Sequence, residues 1–495
     1  MMLNRKIYIP VLAVLAMVFS FSEGFAMSDA AYTTPDSWSK HYTPNGVKAS
    51  SGTINLGDTA TLTMGLTTRY QLKTTAYNSD SDLYQYLRGR LGDMALGDGK
   101  VDINFNMRVG GDFVRPLGQY EFDMFYDSLD VERGPSDAAY RLYTATVVFD
   151  NVVKNAKFTL GRYYLDYTDT LKLDGALINY GNDKYKGYVF YGLPVSFYTS
   201  LNTQAAGGGI DLNFDSGTRL RIDGKYLIED SNTDTDTYII KARLDQKIKL
   251  GAVGSMNLHA LGTVMNEVFF AEAGLLGTIY PSQTTFTAKV KGQFNSNTQY
   301  VNPVVSDYDL VLGHQEPYVM FNAKIYQGIM QYVAVGASVE GKFNQIQSYG
   351  QRDYIRVGGN VDFFGFIPNN YLSFTVDWFD VDEYGRQVDN SQVYFGGRMT
   401  QVITQQLELW LGASLLNYRT WFQQIDFLPE EAPIYYQNKK LDDFVYVAYV
   451  GATYSPYEWL NIQADYMFES SELIMSEDND NYQAHYVELW LNFLF

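Results

Sequence analysis

A chain of 495 residues with 46% hydrophobic and 19% charged residues is too polar for a bundle of membrane helices. It has no cysteine, which excludes disulfides, thiolate metal sites and thiol nucleophiles; its four histidines, His41, His259, His314 and His485, are too scattered for a His-based metal motif. A formal charge of -19 is opposite in sign to that of a nucleic-acid binder, and nothing in the sequence points to a cofactor or a metal.

The chain opens with "MMLNRKIYIPVLAVLAMVFSFSEGFA". Arg5 and Lys6 precede an apolar stretch from Tyr8 to Phe21, and Gly24-Phe25-Ala26 ends it with small residues at the cleavage positions. Residues 1–26 read as a secretory signal peptide. Their removal takes away Arg5, Lys6 and Glu23 and moves the charge from -19 to -20. Residues 27–58 are polar and rich in turn formers, so they read as a short periplasmic N-terminal segment.

From residue 59 to 495 the recurring signal is period two, the mark of strands. In "VDINFNMRVGG", Val101, Ile103, Phe105, Met107 and Val109 share one face, and Asp102, Asn104, Asn106 and Arg108 the other. Alternating segments are predicted near 60–71, 83–96, 101–114, 138–150, 156–165, 172–180, 187–197 and 208–216. They continue near 218–229, 235–248, 253–264, 266–279, 284–295, 316–326, 330–345, 352–364, 370–381 and 391–402. The last four are near 405–418, 441–456, 458–469 and 482–495. This gives about 22 strands, within a range of 18–22. The weakly alternating stretch 119–130 is assigned to a loop, because bacterial single-chain barrels have even counts.

These segments are longer than the roughly 5–6 residues of an ordinary strand and match the roughly 9–11 of a strand tilted across a bilayer. Their polar faces carry Asp, Asn, Arg and Lys, which suit water and not a packed core. The expected fold is all-β: a transmembrane, antiparallel, up-and-down β-barrel. Short connections at 97–100, 216–218, 280–285 and 455–458 alternate with longer polar ones at 72–82, 115–137, 198–207, 230–234, 296–315, 381–390, 419–440 and 470–481. Barrels of the outer membrane show this asymmetry, with tight periplasmic turns and long external loops. The acidic stretches 229–237 and 476–481 lack the glycine and closing glutamate of an EF-hand and read as solvated loops.

Three stretches carry a family resemblance: "YLRGRLGD" (86–93), "KFTLGRYYLDYTDTLKLDGALINY" (157–180) and the terminal "YVELWLNFLF" (486–495). With the signal peptide, they resemble Gram-negative outer-membrane porins. The resemblance implies an outer-membrane location and a pore constriction where basic wall residues face acidic residues of an inward loop. The basic candidates are Arg88, Arg90, Arg108 and Arg162. The acidic ones are Asp166, Asp169 and Asp174, and the alternation of its strand makes Asp102 a further pore-lining candidate. Parity groups Arg162 with Phe158 and Leu160, so a place in the lumen requires a bulge there; without one it snorkels at the membrane edge. In the last strand Glu488 and Asn492 are expected to face the lumen. Leu491, Phe493 and Phe495 are expected to face lipid and serve as the signal read by the barrel assembly machinery.

The leading expectation is a porin: a water-filled channel for passive diffusion of small hydrophilic solutes and ions, mildly cation-selective because of its acid excess. Its expected partners are outer-membrane lipid, lipopolysaccharide and the assembly machinery, with a homotrimer by analogy. Two alternatives stay open. One is a sleeve around a partner cytochrome. The other is a substrate-specific channel, for which Tyr84, Tyr86 and Trp490 are placed to face inward. No Ser/His/Asp spacing suggests an enzyme.

Overall fold

The computed structural model describes residues 53–55, 60–75, 79–114, 138–166, 170–195, 204–214, 217–228, 237–266, 268–295, 317–346, 352–382, 390–426, 435–471 and 482–494. The predicted signal peptide, the stretch 119–130 and Phe495 lie outside them.

The strands in chain order are β1 (Thr53–Asn55), β2 (Thr61–Thr75), β3 (Ser79–Leu96), β4 (Gly99–Val114), β5 (Ala138–Asp150) and β6 (Ala156–Asp166). Then come β7 (Thr170–Gly181), β8 (Tyr185–Pro194), β9 (Gln204–Asn213), β10 (Thr218–Ile228), β11 (Thr237–Lys249) and β12 (Gly254–Met265). They are followed by β13 (Val268–Ile279), β14 (Thr284–Gln293), β15 (Tyr318–Met330), β16 (Val333–Asn344), β17 (Tyr354–Phe364) and β18 (Asn370–Val381). The last are β19 (Asn390–Val402), β20 (Leu407–Asp426), β21 (Tyr435–Tyr457), β22 (Leu460–Ser471) and β23 (Tyr482–Leu494).

From β2 onward each strand pairs antiparallel with the next, and β23 pairs with β2 from Leu494↔Gly65 to Ala484↔Thr75. The ring of 22 strands is therefore closed. Closure removes the two edges whose backbone groups could not be satisfied in hydrocarbon. β1 lies within the segment read as an N-terminal leader. It pairs with Thr61–Thr63 of β2, just past the point where β23 ends, and so occupies the edge left by the stagger of the closing strands.

Period two is the reason this ring spans a membrane. Residues opposite each other in register share a face, so Leu87, Met107, Leu142 and Ile103, Val147, Leu160, Ile178, Val189 fall on the outside. Ile178, Val189, Ile222, Ile240, Val290, Val357 and Val376 are exposed there. Aromatic side chains rim this band at both ends: Tyr180, Tyr185, Tyr280, Tyr457 and Trp459 by the short turns, and Tyr140, Tyr191, Tyr226, Tyr238, Phe269 and Phe294 by the other end. An apolar belt between two aromatic girdles is the exterior of a membrane-spanning barrel. Every connection at the first end is tight, such as Gly97-Asp98, 331–332 and 458–459; Gly97, Asn151, Asn155, Gln283, Gly365 and Asn369 adopt positive φ there to turn the chain.

Two predicted loops are corrected. β2 and β3 run through most of 72–82, and β20 and β21 extend to Asp426 and from Tyr435 through most of 419–440. In β3 the residues there are polar on both faces although Asp80, Ser81 and Asp82 are buried, so no apolar alternation marks the strand while the ladder continues. The inward face is not uniformly polar either. Near the long-loop ends of β6–β12, Tyr163, Leu165, Leu171, Leu173, Phe190, Leu227, Ile239 and Met265 form a buried apolar cluster on the lumen side.

Candidate functional site: the lumen wall

Around the closing seam, inward-facing positions of β22, β23, β2, β3 and β4 form one polar and aromatic network. Glu488 pairs with Arg69 and accepts a hydrogen bond from Gln71 at 3.3 Å. The Arg69 guanidinium lies 4.7 Å from the Trp490 ring centre and 5.8 Å from that of Tyr84. Trp490 stacks on Tyr86 at 6.5 Å, and Arg108, 5% exposed, lies 5.2 Å over Tyr84. Asn492 accepts from Thr67 at 2.7 Å and donates to Asn461 at 3.2 Å. Below them Arg90 pairs with Asp102 at 3.0 Å, and Arg88 lies over Gly65, where a Cβ would fall 2.7 Å from its Nε. Thus Arg88 and Arg90 of β3, Asp102 and Arg108 of β4, and Glu488 and Asn492 of β23 lie on one stretch of the inner surface.

Arg162 and Asp174 do not join them. The ladder around them is unbroken, and Arg162 sits opposite Ala145 and Asp174, on the outward face of Leu160 and Ile178. The bulge that a lumen position requires is absent, although Gly161 takes φ +109°. The guanidinium holds both Asp174 oxygens at 2.7 and 2.6 Å and donates to the Leu142 carbonyl at 3.0 Å. Its position explains this geometry: β5–β6 pairing ends at Ala145↔Arg162, and the side chain satisfies a carbonyl just beyond that end. An eyelet across Arg162 and Asp174 is therefore corrected to an outward staple. Asp166 ends the β6–β7 ladder opposite Thr170; its side chain, and Asp169 altogether, lie outside the described residues. Leu491 and Phe493 face outward opposite Ile462 and Leu460, with Phe493 stacked at 6.4 Å on Trp459 of the girdle.

A densely charged part of the described wall was not singled out from the sequence. Inward positions of β10, β11 and β14 carry Arg219, Arg221, Lys225, Lys241, Arg243, Lys247, Lys249, Lys289 and Lys291, against Asp223 and Asp245 on the same strands. Asp211 of β9 holds Arg219 and lies 3.5 Å from Arg221, and Arg243 pairs with Asp245 at 2.9 Å. Glu272 sits between His259 at 3.0 Å and Lys289 at 2.7 Å. The surplus is positive. The signal was present: "KARLDQKIK" places Lys241, Arg243, Asp245, Lys247 and Lys249 on alternate positions. It emerges as a strip only when adjacent strands are set in register.

Elsewhere the wall is lined by rings. Tyr354, Tyr371, Tyr394, Trp410 and Tyr449 face inward on β17–β21. Two lie over glycines of the neighbouring strand: a Cβ at Gly412 would fall 2.3 Å from the Tyr449 ring, and one at Gly451 would fall 2.4 Å from Trp410. Glycine at these places lets a large side chain lie along the wall and leave the lumen clear.

No protein-family model matches the sequence, and a search of curated proteins returns no match. Among solved structures, the chain is similar to the outer membrane protein OpdK from Pseudomonas aeruginosa, with 10% identity, coverage of 88% of this chain and 99% of that one, and a TM-score of 0.41. It is also similar to Acinetobacter baumannii OccAB1, with 9% identity, coverage of 90% and 99%, and a TM-score of 0.39. A third is Pseudomonas aeruginosa OccK2 (OpdF) in complex with glucuronate, with 11% identity, coverage of 88% and 98%, and a TM-score of 0.38. The likeness is distant, and the barrel stands on its own strand register.

Proposed function

We propose that this chain is an outer-membrane channel through which small hydrophilic solutes diffuse down their gradients. The single observation that carries this reading is the closed ring of 22 strands with an apolar exterior and a charged interior. A ring of that size encloses far more space than side chains alone can fill. Export through a cleaved signal peptide at 1–26, and recognition of Leu491, Phe493 and Phe495 by the assembly machinery, belong to the same reading.

Selectivity follows from charge at the wall. The strip on β10, β11 and β14 favours small anionic solutes, because fixed cations attract them close to the path they take. The second reading is mild cation preference. It is favoured by the overall charge of -19 and by the acid-rich stretches 229–237 and 476–481, which would draw cations to the mouth. Liposome swelling with a graded series of sugars and small carboxylates tests the channel itself. Entry that falls off with solute size is the expected result. Liposomes that stay impermeable to every solute would instead favour a plugged barrel or a sleeve around a partner.

A further inference from the structure

On the outward face, β10–β15 carry an apolar groove of about 470 Å³. Small residues form its floor: Ala242, Ala260, Gly262, Ala271, Ala273 and Gly292. Leu220, Leu244, Val290, Phe294 and Val319 form its rim. Register strings these into a continuous line, Leu220↔Leu244↔Ala260↔Ala273↔Val290 beside Ala242↔Gly262↔Ala271↔Gly292↔Val319. The adjoining Arg243, Glu272 and Lys291 alternate with these positions and carry their charges to the lumen. A Cβ placed on Gly262 would meet no atom within 4 Å, so the floor there is open.

Leu220 is two residues from the short-turn end of β10, whereas Phe294 and Val319 lie at the opposite rim, after β14 and at the start of β15. Six strands at a spacing of about 4.8 Å make a slot about 24 Å long, and two rows of a pleat make it about 7 Å wide. The slot runs obliquely from one aromatic girdle into the hydrocarbon. It is continuous with the outward apolar belt, which is the interface between this barrel and the bilayer. A long, narrow, uncharged slot entered from the headgroup level has the shape of one extended acyl chain. Left empty, its lining would forfeit dispersion contacts on one side.

We propose that this groove holds an acyl chain of an outer-membrane lipid as a retained ligand, with its headgroup at the Phe294 rim. The full chain would be purified from native membranes in mild detergent and examined by native mass spectrometry. The comparison is wild type, Gly262→Val with Ala260→Leu together, and Gly359→Val as an outward control on β17. Heat-modified gel migration checks that each has folded. Wild type and the control are expected to retain a lipid adduct, which falls about tenfold in the double variant, equivalent to about 1.4 kcal/mol. An adduct of equal intensity in the double variant, or no adduct on folded wild type, overturns the proposal. Adduct-free wild type that forms multimers lost in the double variant would assign the groove to a second copy of the chain. If the double variant alone fails to fold, Gly262→Val by itself decides: a retained adduct overturns the proposal and a reduced one supports it.

Discussion

Individual side chains do three different jobs on this barrel, and each has its own test. Glu488 sits inward as the partner of Arg69, so Glu488→Gln removes a lumen negative charge and leaves the guanidinium against Trp490. The expected outcome is a shift of reversal potential toward anions, measured under a salt gradient, with little change from Asn492→Ala. Gly451→Leu would drive the Trp410 ring and the Asp465 carboxylate off the wall, and the atoms nearest its Cβ all belong to side chains. Crowding of that kind costs about 1–3 kcal/mol where a side chain cannot move, and less where it swings into open space. Single-channel conductance is therefore expected to fall while folding persists. Arg162 is a staple for Asp174 and the Leu142 carbonyl, on the outside. Arg162→Leu should lower the temperature at which the barrel unfolds on a gel-shift series, by a loss of about 1.5–3 kcal/mol, and leave conductance unchanged. A large drop in conductance would instead restore Arg162 to the pore.

At the scale of elements, assembly is proposed to depend on the last strand more than on any lumen group. β23 must find β2 to close the ring, and its outward Leu491 and Phe493 lead to Phe495. Deleting Phe495 is expected to cut surface levels far more than Asn492→Ala does; equal levels of the two variants would count against an assembly signal. The strands themselves were readable in the sequence because water on one side and lipid on the other enforce strict alternation, as in Val101 to Val109. Where that contrast ends, legibility ends too. The extensions of β20 and β21 lack that alternation in sequence and read as a loop. Arg162 was legible by parity as an outward residue, but the family resemblance placed it in the pore. The apolar patch around Leu165 and Leu173 was hidden for the converse reason: it faces inward yet is buried, so polarity does not report which side it is on.

At the scale of the whole molecule, the net charge and the charge of one part of the pore wall have different signs. The chain is strongly acidic, yet the inward faces of β10, β11 and β14 are basic, because the acid excess is not carried by these strands. Composition sums over all residues, whereas a permeating ion samples only those within about a Debye length, roughly 8–10 Å at physiological salt. Only the registration of neighbouring strands reveals the strip, since no single strand contains it. Exchanging Arg243 and Lys289 together for glutamine should therefore weaken anion passage, although each residue contributes one charge among several. The most direct test of the central claim is the zero-current potential of the purified protein in a planar bilayer under a potassium chloride gradient. The expected result is a stable open conductance with a reversal potential on the chloride side of zero; a non-conducting barrel, or a potential on the potassium side, would contradict it.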